Sequence, residues 1–80
     1  MTQIEIEYCV PCGFLPRAEE VQHEILEEYG QQVDSVTLKT GDHGVFKVSV
    51  DGDLVFDKAE EEYDVETIKE SVADRVKVTG

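Results

Sequence analysis

Positive charge is scarce in this chain. Its 80 residues include 7 Lys and Arg against 19 Asp and Glu, a formal net charge of −12. With so little to neutralise phosphates, nucleic acid is excluded as a partner, and anionic membrane surfaces are disfavoured for the same reason. Long apolar runs are missing too. None approaches the roughly 18 residues that a membrane-spanning helix needs. The opening stretch, Met1-Thr2-Gln3-Ile4-Glu5, has neither the basic region nor the apolar core of a secretory signal. Cysteine is limited to Cys9 and Cys12, too few and too close together for the disulfide framework of a small secreted domain. These absences predict a cytoplasmic protein. The acidic excess reads as adaptation to strong salt, because at about 1 M the Debye length is only about 3 Å and self-repulsion is screened.

What is present is enough to fold. Leu, Ile, Val and Phe make up 23 of the 80 residues, above the level of a disordered chain. One domain over residues 1–80 is expected, with a thin core, since a chain this short buries only about 60–65% of its unfolded surface.

The apolar pattern gives the order of elements. Ile4, Ile6 and Tyr8 alternate with Glu5 and Glu7, the mark of a strand with one face buried and one wet. Pro16 fits only near the first turn of a helix, which predicts a start between Cys12 and Leu15. Ala18, Val21, Ile25, Leu26 and Tyr29 make its apolar stripe, and Gly30 ends it. Glu19, Glu20, Glu24, Glu27 and Glu28 are expected to face out, with like-charge pairs at Glu20/Glu24 and Glu24/Glu28. Val33–Lys39 reads as a second strand and Val45–Val50 as a third. Asp51-Gly52 is a type I′ hairpin signal leading to a fourth strand, Asp53–Asp57, with Leu54 and Phe56 inward. Asp64 is a plausible N-cap for a last helix carrying Val65, Ile68, Val72 and Val76.

The sum is βαβββα. A right-handed crossover makes the first two strands parallel and the hairpin makes the last two antiparallel. We therefore expect a thioredoxin-like two-layer α/β sandwich, a mixed sheet of order 2-1-3-4 with both helices on one face. Cys9 and Cys12 then fall at the C-terminal edge of a central strand, where open α/β sheets place ligands.

A C-x-x-C at a strand-to-helix junction suits thiol chemistry. The two cysteines can close a disulfide with little backbone movement, and the free N–H groups and dipole of a helix start favour the thiolate that attacks disulfides. A metal half-site or a purely structural pair are the alternatives. Zinc needs about four ligands, and the spacing of Cys12, His23 and His43 fits no finger pattern. No metal or cofactor is expected. His23 belongs to the polar side of the first helix. His43 lies in the Thr40–Gly44 loop, as a plain loop residue or as a proton acceptor for a thiol. Arg17 is the one cation near the motif in sequence, either solvated or set to stabilise a thiolate. Tyr8 and Phe14 should pack around the motif, and Glu60-Glu61-Glu62 reads as a solvated connection.

The segments Ile6-Glu7-Tyr8-Cys9-Val10-Pro11-Cys12-Gly13-Phe14 and Arg17-Ala18, then Gly44-Val45-Phe46-Lys47-Val48 and Val50-Asp51-Gly52-Asp53-Leu54-Val55-Phe56, resemble the selenoprotein W-like (Rdx) family. The resemblance runs through nearly the whole chain in order. It implies a thioredoxin-like fold and a redox role centred on Cys9 and Cys12, supported by Val10, Pro11, Gly13, Phe14 and Arg17. Selenium-containing members of that family carry selenocysteine at the position of Cys12, which points to Cys12 as the reactive residue. Helix geometry in thioredoxins points instead to the first cysteine, Cys9. Unlike thioredoxins, the Thr40–Gly44 loop has no proline to face the disulfide. The function expected is a monomeric thiol–disulfide redox protein that forms mixed disulfides with protein or low-molecular-weight thiols. A non-catalytic, redox-responsive interaction module is the alternative.

Overall fold

Alternation along Gln3–Cys9 builds a strand, β1, whose apolar residues meet apolar residues on both neighbours. Ile4 stands opposite Val36 and Val50, Ile6 opposite Leu38 and Val48, and Tyr8 opposite Phe46. The computed structural model describes residues 2–79, with side chains through Val76. After β1 come α1 (Leu15–Tyr29), a 3-10 turn (Gly30–Gln32), β2 (Ser35–Gly41), β3 (Phe46–Val50), β4 (Asp53–Asp57) and α2 (Val65–Thr79). The sheet order is β2-β1-β3-β4, with β1 and β2 parallel and the other pairs antiparallel. This is the expected thioredoxin-like topology.

Ala18, Val21 and Ile25 of α1 and Ile68, Val72 and Val76 of α2 join the apolar sheet residues in one buried cluster. Each large apolar side chain buried in this way contributes about 1.5–3 kcal/mol. The other face of the sheet stays polar. Across it Lys39, Glu7, Lys47 and Asp57 stand side by side, one per strand, with alternating sign, so cross-strand neighbours attract. No helix among the described residues is long and apolar enough to cross a membrane.

Two inward assignments are corrected. Leu54 is 51% exposed. A bulge shifts the β3–β4 register, so that Val48 faces Phe56 but Ser49 faces Leu54. The extra residue, Val55, packs against the core in Leu54's stead. Leu26 is 43% exposed, because it lies about 100° round the helix from Ile25 and the buried stripe is narrower than its apolar residues. The second strand also begins two residues late. Val33 is buried, but its N–H donates to Gly30 O in the 3-10 turn, and Asp34 N–H donates to Thr2 O.

Other local signals hold. Asp51 and Gly52 have φ of 52° and 88°, as a type I′ turn requires. Asp64 Oδ1 accepts the N–H of Glu66 at 2.9 Å, capping α2. Gly30, at φ 45°, donates its N–H to Leu26 O and stops α1.

The glutamates of α1 are not simply solvated. Lys69 of α2 reaches Glu28 at 3.0 Å, Glu24 at 3.3 Å and Glu66 at 3.7 Å. It turns the like-charge pair Glu24/Glu28 into a seam between the helices. The hydrogen bond to Glu28, more than any other influence, holds the Lys69 ammonium above its usual range.

Candidate functional site

β1 ends at Cys9, where the connection from β2 to β3 takes over its pairing. Cys9 N–H donates to Val45 O at 2.8 Å and Val10 N–H to Gly41 O at 3.1 Å. The chain then reverses in a turn over Val10–Gly13, closed by Gly13 N–H donating to Val10 O at 3.1 Å. Pro11 occupies the second place of that turn, where its fixed φ is an advantage. Gly13 has φ +75°, a conformation that disfavours any side chain. Phe14 N–H donates to Cys9 O at 3.4 Å, and Phe14 is the N-cap from which α1 departs.

Within this turn Cys9 and Cys12 are joined by a disulfide, their Cα atoms 5.3 Å apart. The two halves are unequally placed. Cys9 is fully buried, whereas Cys12 is exposed. A nucleophile arriving from solvent therefore meets residue 12. Cys12 lies two residues ahead of the cap, not inside the helix. The nearest N–H groups, those of Gly13 and Phe14, are already engaged by the turn. Stabilisation of a thiolate by free helix N–H groups is thus weaker here than the sequence implied.

Next to the turn, cationic and aromatic side chains pack together. The Phe14 ring packs edge-on against Phe46 at 6.2 Å between centroids. The Arg17 guanidinium lies 5.2 Å from the Phe14 centroid and 5.1 Å from that of Tyr63. The Lys58 ammonium lies 5.5 Å from Phe14. Tyr63 packs on Phe46 at 5.4 Å and donates its hydroxyl to Glu20 at 2.6 Å. Burial first, then the bond to Glu20, pushes that hydroxyl well above the usual phenol range. Exposed Val10 and Leu15 border the turn.

Of the sequence-derived candidates, Arg17 and Phe14 are brought together. His43 is not engaged with the cysteines: its Nδ1 pairs with Asp42 at 2.6 Å on an exposed loop. His23 pairs with Glu27 at 3.7 Å on the outer side of α1. No group of three or more His, Cys, Asp or Glu residues converges as a metal set among the described residues. Lys58 and Tyr63 were missed. Both sit in the charged connection after β4, and only the tertiary approach of that connection to Phe14 marks them out.

A two-layer α/β sheet with a C-x-x-C pair at the end of its central parallel strand defines a thioredoxin-like protein of redox character. The sequence profile of the Rdx family matches residues 3–74, and the chain belongs to that family. Among solved structures, it is similar to a selenoprotein W-related protein from Vibrio cholerae, with TM-score 0.88 and 25% identity, covering 94% of this chain and 96% of that one. It is likewise similar to a Bordetella parapertussis protein, with TM-score 0.86 and 29% identity, covering 92% and 96%. Migration and invasion enhancer 1 of Mus musculus is 40% identical over 58 residues, 71% of this chain and 48% of that protein. The Bos taurus form is 37% identical over 59 residues, 72% and 49%. The chain spans about half the length of these two relatives. Family and paired cysteines together support a redox-related role.

Proposed function

We propose that the protein is a thiol–disulfide exchange protein that cycles Cys9 and Cys12 between dithiol and disulfide. The observation that carries this reading is the asymmetry of the pair, an exposed Cys12 bonded to a buried Cys9. In the reducing direction the Cys12 thiolate attacks a partner disulfide, a bond forms to one partner sulfur, and the other leaves as thiolate. Cys9, having lost its proton to solvent, then attacks the Cys12 sulfur. The internal disulfide forms and the second partner thiolate departs. Two protein thiols are oxidised and one partner disulfide is reduced to two thiols. Cys12 is the attacking residue and Cys9 the resolving one. The partners are protein or small thiols and disulfides, met by a monomer in the cytoplasm.

The test uses the two single-cysteine variants. Cys9→Ser should accumulate a mixed disulfide on Cys12, detected as added mass. Cys12→Ser should trap nothing and lose exchange by more than about a hundredfold, as expected when the nucleophile is removed. Trapping on Cys9 alone, or unimpaired exchange in Cys12→Ser, would overturn the assignment.

A further inference from the structure

We propose that the outer edge of β2 is a docking edge, and that it takes an extended segment of another protein, apolar at alternate positions and basic at its ends, as a further strand of the sheet. The surface lies outside the cysteine chemistry and does not depend on it.

The sheet has two edges, and they are finished differently. β4 is short, with 5 residues, and a bulge breaks its register with β3. Asp53 and Asp57 stand at its ends, and Asp53 pairs with Arg75 at 3.1 Å. Short length, bulges and charges keep an edge from pairing with other chains. β2 has 7 residues, in unbroken register with β1 from Ser35 to Gly41. It carries no acid, although the chain has 19 acidic residues, and Lys39 is its only charge.

Successive residues of a strand turn their backbone groups to opposite sides. Gly41 O faces β1, since it accepts the N–H of Val10. Thr40, Leu38 and Val36 therefore turn theirs outward. In agreement, Gln22 of α1 reaches over the edge, and its Nε2 donates to Val36 O at 2.9 Å. The N–H and C=O groups of Leu38 and Thr40 have no hydrogen-bond partner among the described residues.

The flank above this edge is apolar. Val36 and Leu38 are half-buried against the core. Leu26, one turn after Gln22, and Leu15, two turns before it, lie on the same flank of α1 and are each 43% exposed. A strand added here bonds to the backbone of Leu38 and Thr40 and lays every second side chain against these apolar groups.

Charge decides the occupant. A second copy brings its own −12 and is repelled. A segment with basic ends is attracted by the same field. Glu19, on the flank between Leu15 and Gln22, is exposed and in no ion pair among the described residues, so it can meet one of those ends. The apolar middle of the segment lies against a strand that holds no carboxylate to be desolvated.

The test uses the full chain, its disulfide intact, isotope-labelled for NMR, with the capped peptide KTVTVTK as probe. With the peptide at about 1 mM, ten times a Kd of about 0.1 mM, hydrogen exchange of the Leu38 and Thr40 amides should slow about tenfold, while the β4 amides stay unchanged. The peptide ETVTVTE should bind at least about threefold more weakly in dilute buffer. Thr40→Pro, a change that an edge strand tolerates, should weaken KTVTVTK about fivefold, and Gln22→Ala, which frees Val36 O, should strengthen it about threefold. Leu26→Gln, at an exposed helix position, should weaken it about threefold whether or not Thr40→Pro folds. Unslowed exchange at Leu38 and Thr40, or binding unmoved in both Thr40→Pro and Leu26→Gln, would overturn the proposal. So would equal binding of the acidic peptide. Protection of the two amides without peptide, rising with protein concentration, would give the edge to a second copy and overturn it as well.

Discussion

Lys69 and Lys58 carry the same charge on the same acidic chain and are held in contrary ways. Lys69 sits in the seam between the helices, with its side chain 17% exposed and three glutamates within 3.7 Å. Lys58 lies over the Phe14 ring and forms no ion pair among the described residues. Carboxylates cancel a cation, while an aromatic face orients it and leaves its field pointing outward, for about 0.5–1 kcal/mol at an exposed site. The protein uses the first device where two helices must be joined and the second beside the turn that carries the Cys9–Cys12 disulfide. Arg17 extends the second, packed against both Phe14 and Tyr63.

The comparison breaks most completely at its aromatic floor. Phe46 is 1% exposed and supports Phe14, Phe56 and Tyr63. Phe46→Ala should destabilise the fold by about 3–5 kcal/mol, the usual range for a buried Phe, read as a lower midpoint in urea. An unchanged midpoint would mean that these rings do not hold the motif end together.

A smaller effect separates the two lysines directly. Lys69→Met should lower stability in dilute buffer, because Glu24, Glu28 and Glu66 are left facing one another, and much of the loss should vanish in molar KCl. Lys58→Met should change stability little at either salt. Equal losses would erase the distinction drawn here. Alkaline pH sharpens it further. Lys69 is raised from 10.5, chiefly by the hydrogen bond to Glu28, and Tyr63 from 10.0, chiefly by burial. Groups raised in the folded state add stability that is complete below their unfolded values and is lost as pH climbs through the folded ones. Thermal unfolding should therefore become easier from about pH 10 upward. Lys69→Met should remove the lysine's share of that slope.

The smallest effect concerns the thiol. The net charge of −12 opposes one more negative charge on reduced Cys12. In about 0.01 M salt the Debye length of about 30 Å spans most of the molecule, while at about 1 M it is about 3 Å. Thiolate absorbance of the reduced protein near neutral pH should rise modestly from dilute buffer to molar KCl. A flat or falling signal would mean that groups close to the sulfur alone govern ionisation.

Much of this was legible in the chain. Glu5 and Glu7 between Ile4, Ile6 and Tyr8 announced a half-wet strand, Asp51-Gly52 a hairpin, and Asp64 a cap, because each is a local rule satisfied within a few residues. Leu54 went wrong because a bulge reverses the parity of a strand, and nothing in Asp53–Asp57 announces one. Lys69 and Lys58 were opaque for another reason. Their partners are tens of residues away, Glu28 on α1 for one and Phe14 beside the motif for the other, and pairing across that distance is decided by the fold. The cysteine motif was plain to read. That Cys9 would be buried and Cys12 exposed was not, since it depends on the loop from Gly41 to Val45 lying along the strand end.

That loop has a spatial requirement of its own. A Cβ built on Gly41 would stand 2.7 Å from a Val45 methyl and 3.1 Å from a Glu7 carboxylate oxygen. Its backbone is not in the left-handed region, so what glycine provides there is room. Gly41 O and Val45 O receive the amide hydrogens of Val10 and Cys9 in turn, so the loop is fastened to the strand end at two points, the first of them at a residue with no room for a side chain. The crowding at position 41 is not shared by the loop tip: Asp42 and His43 are exposed, with backbone conformation rather than space limiting position 43, at φ 59°, while a methyl group at Gly41 would press on the Val45 and Glu7 side chains beside the strand end that holds the buried Cys9.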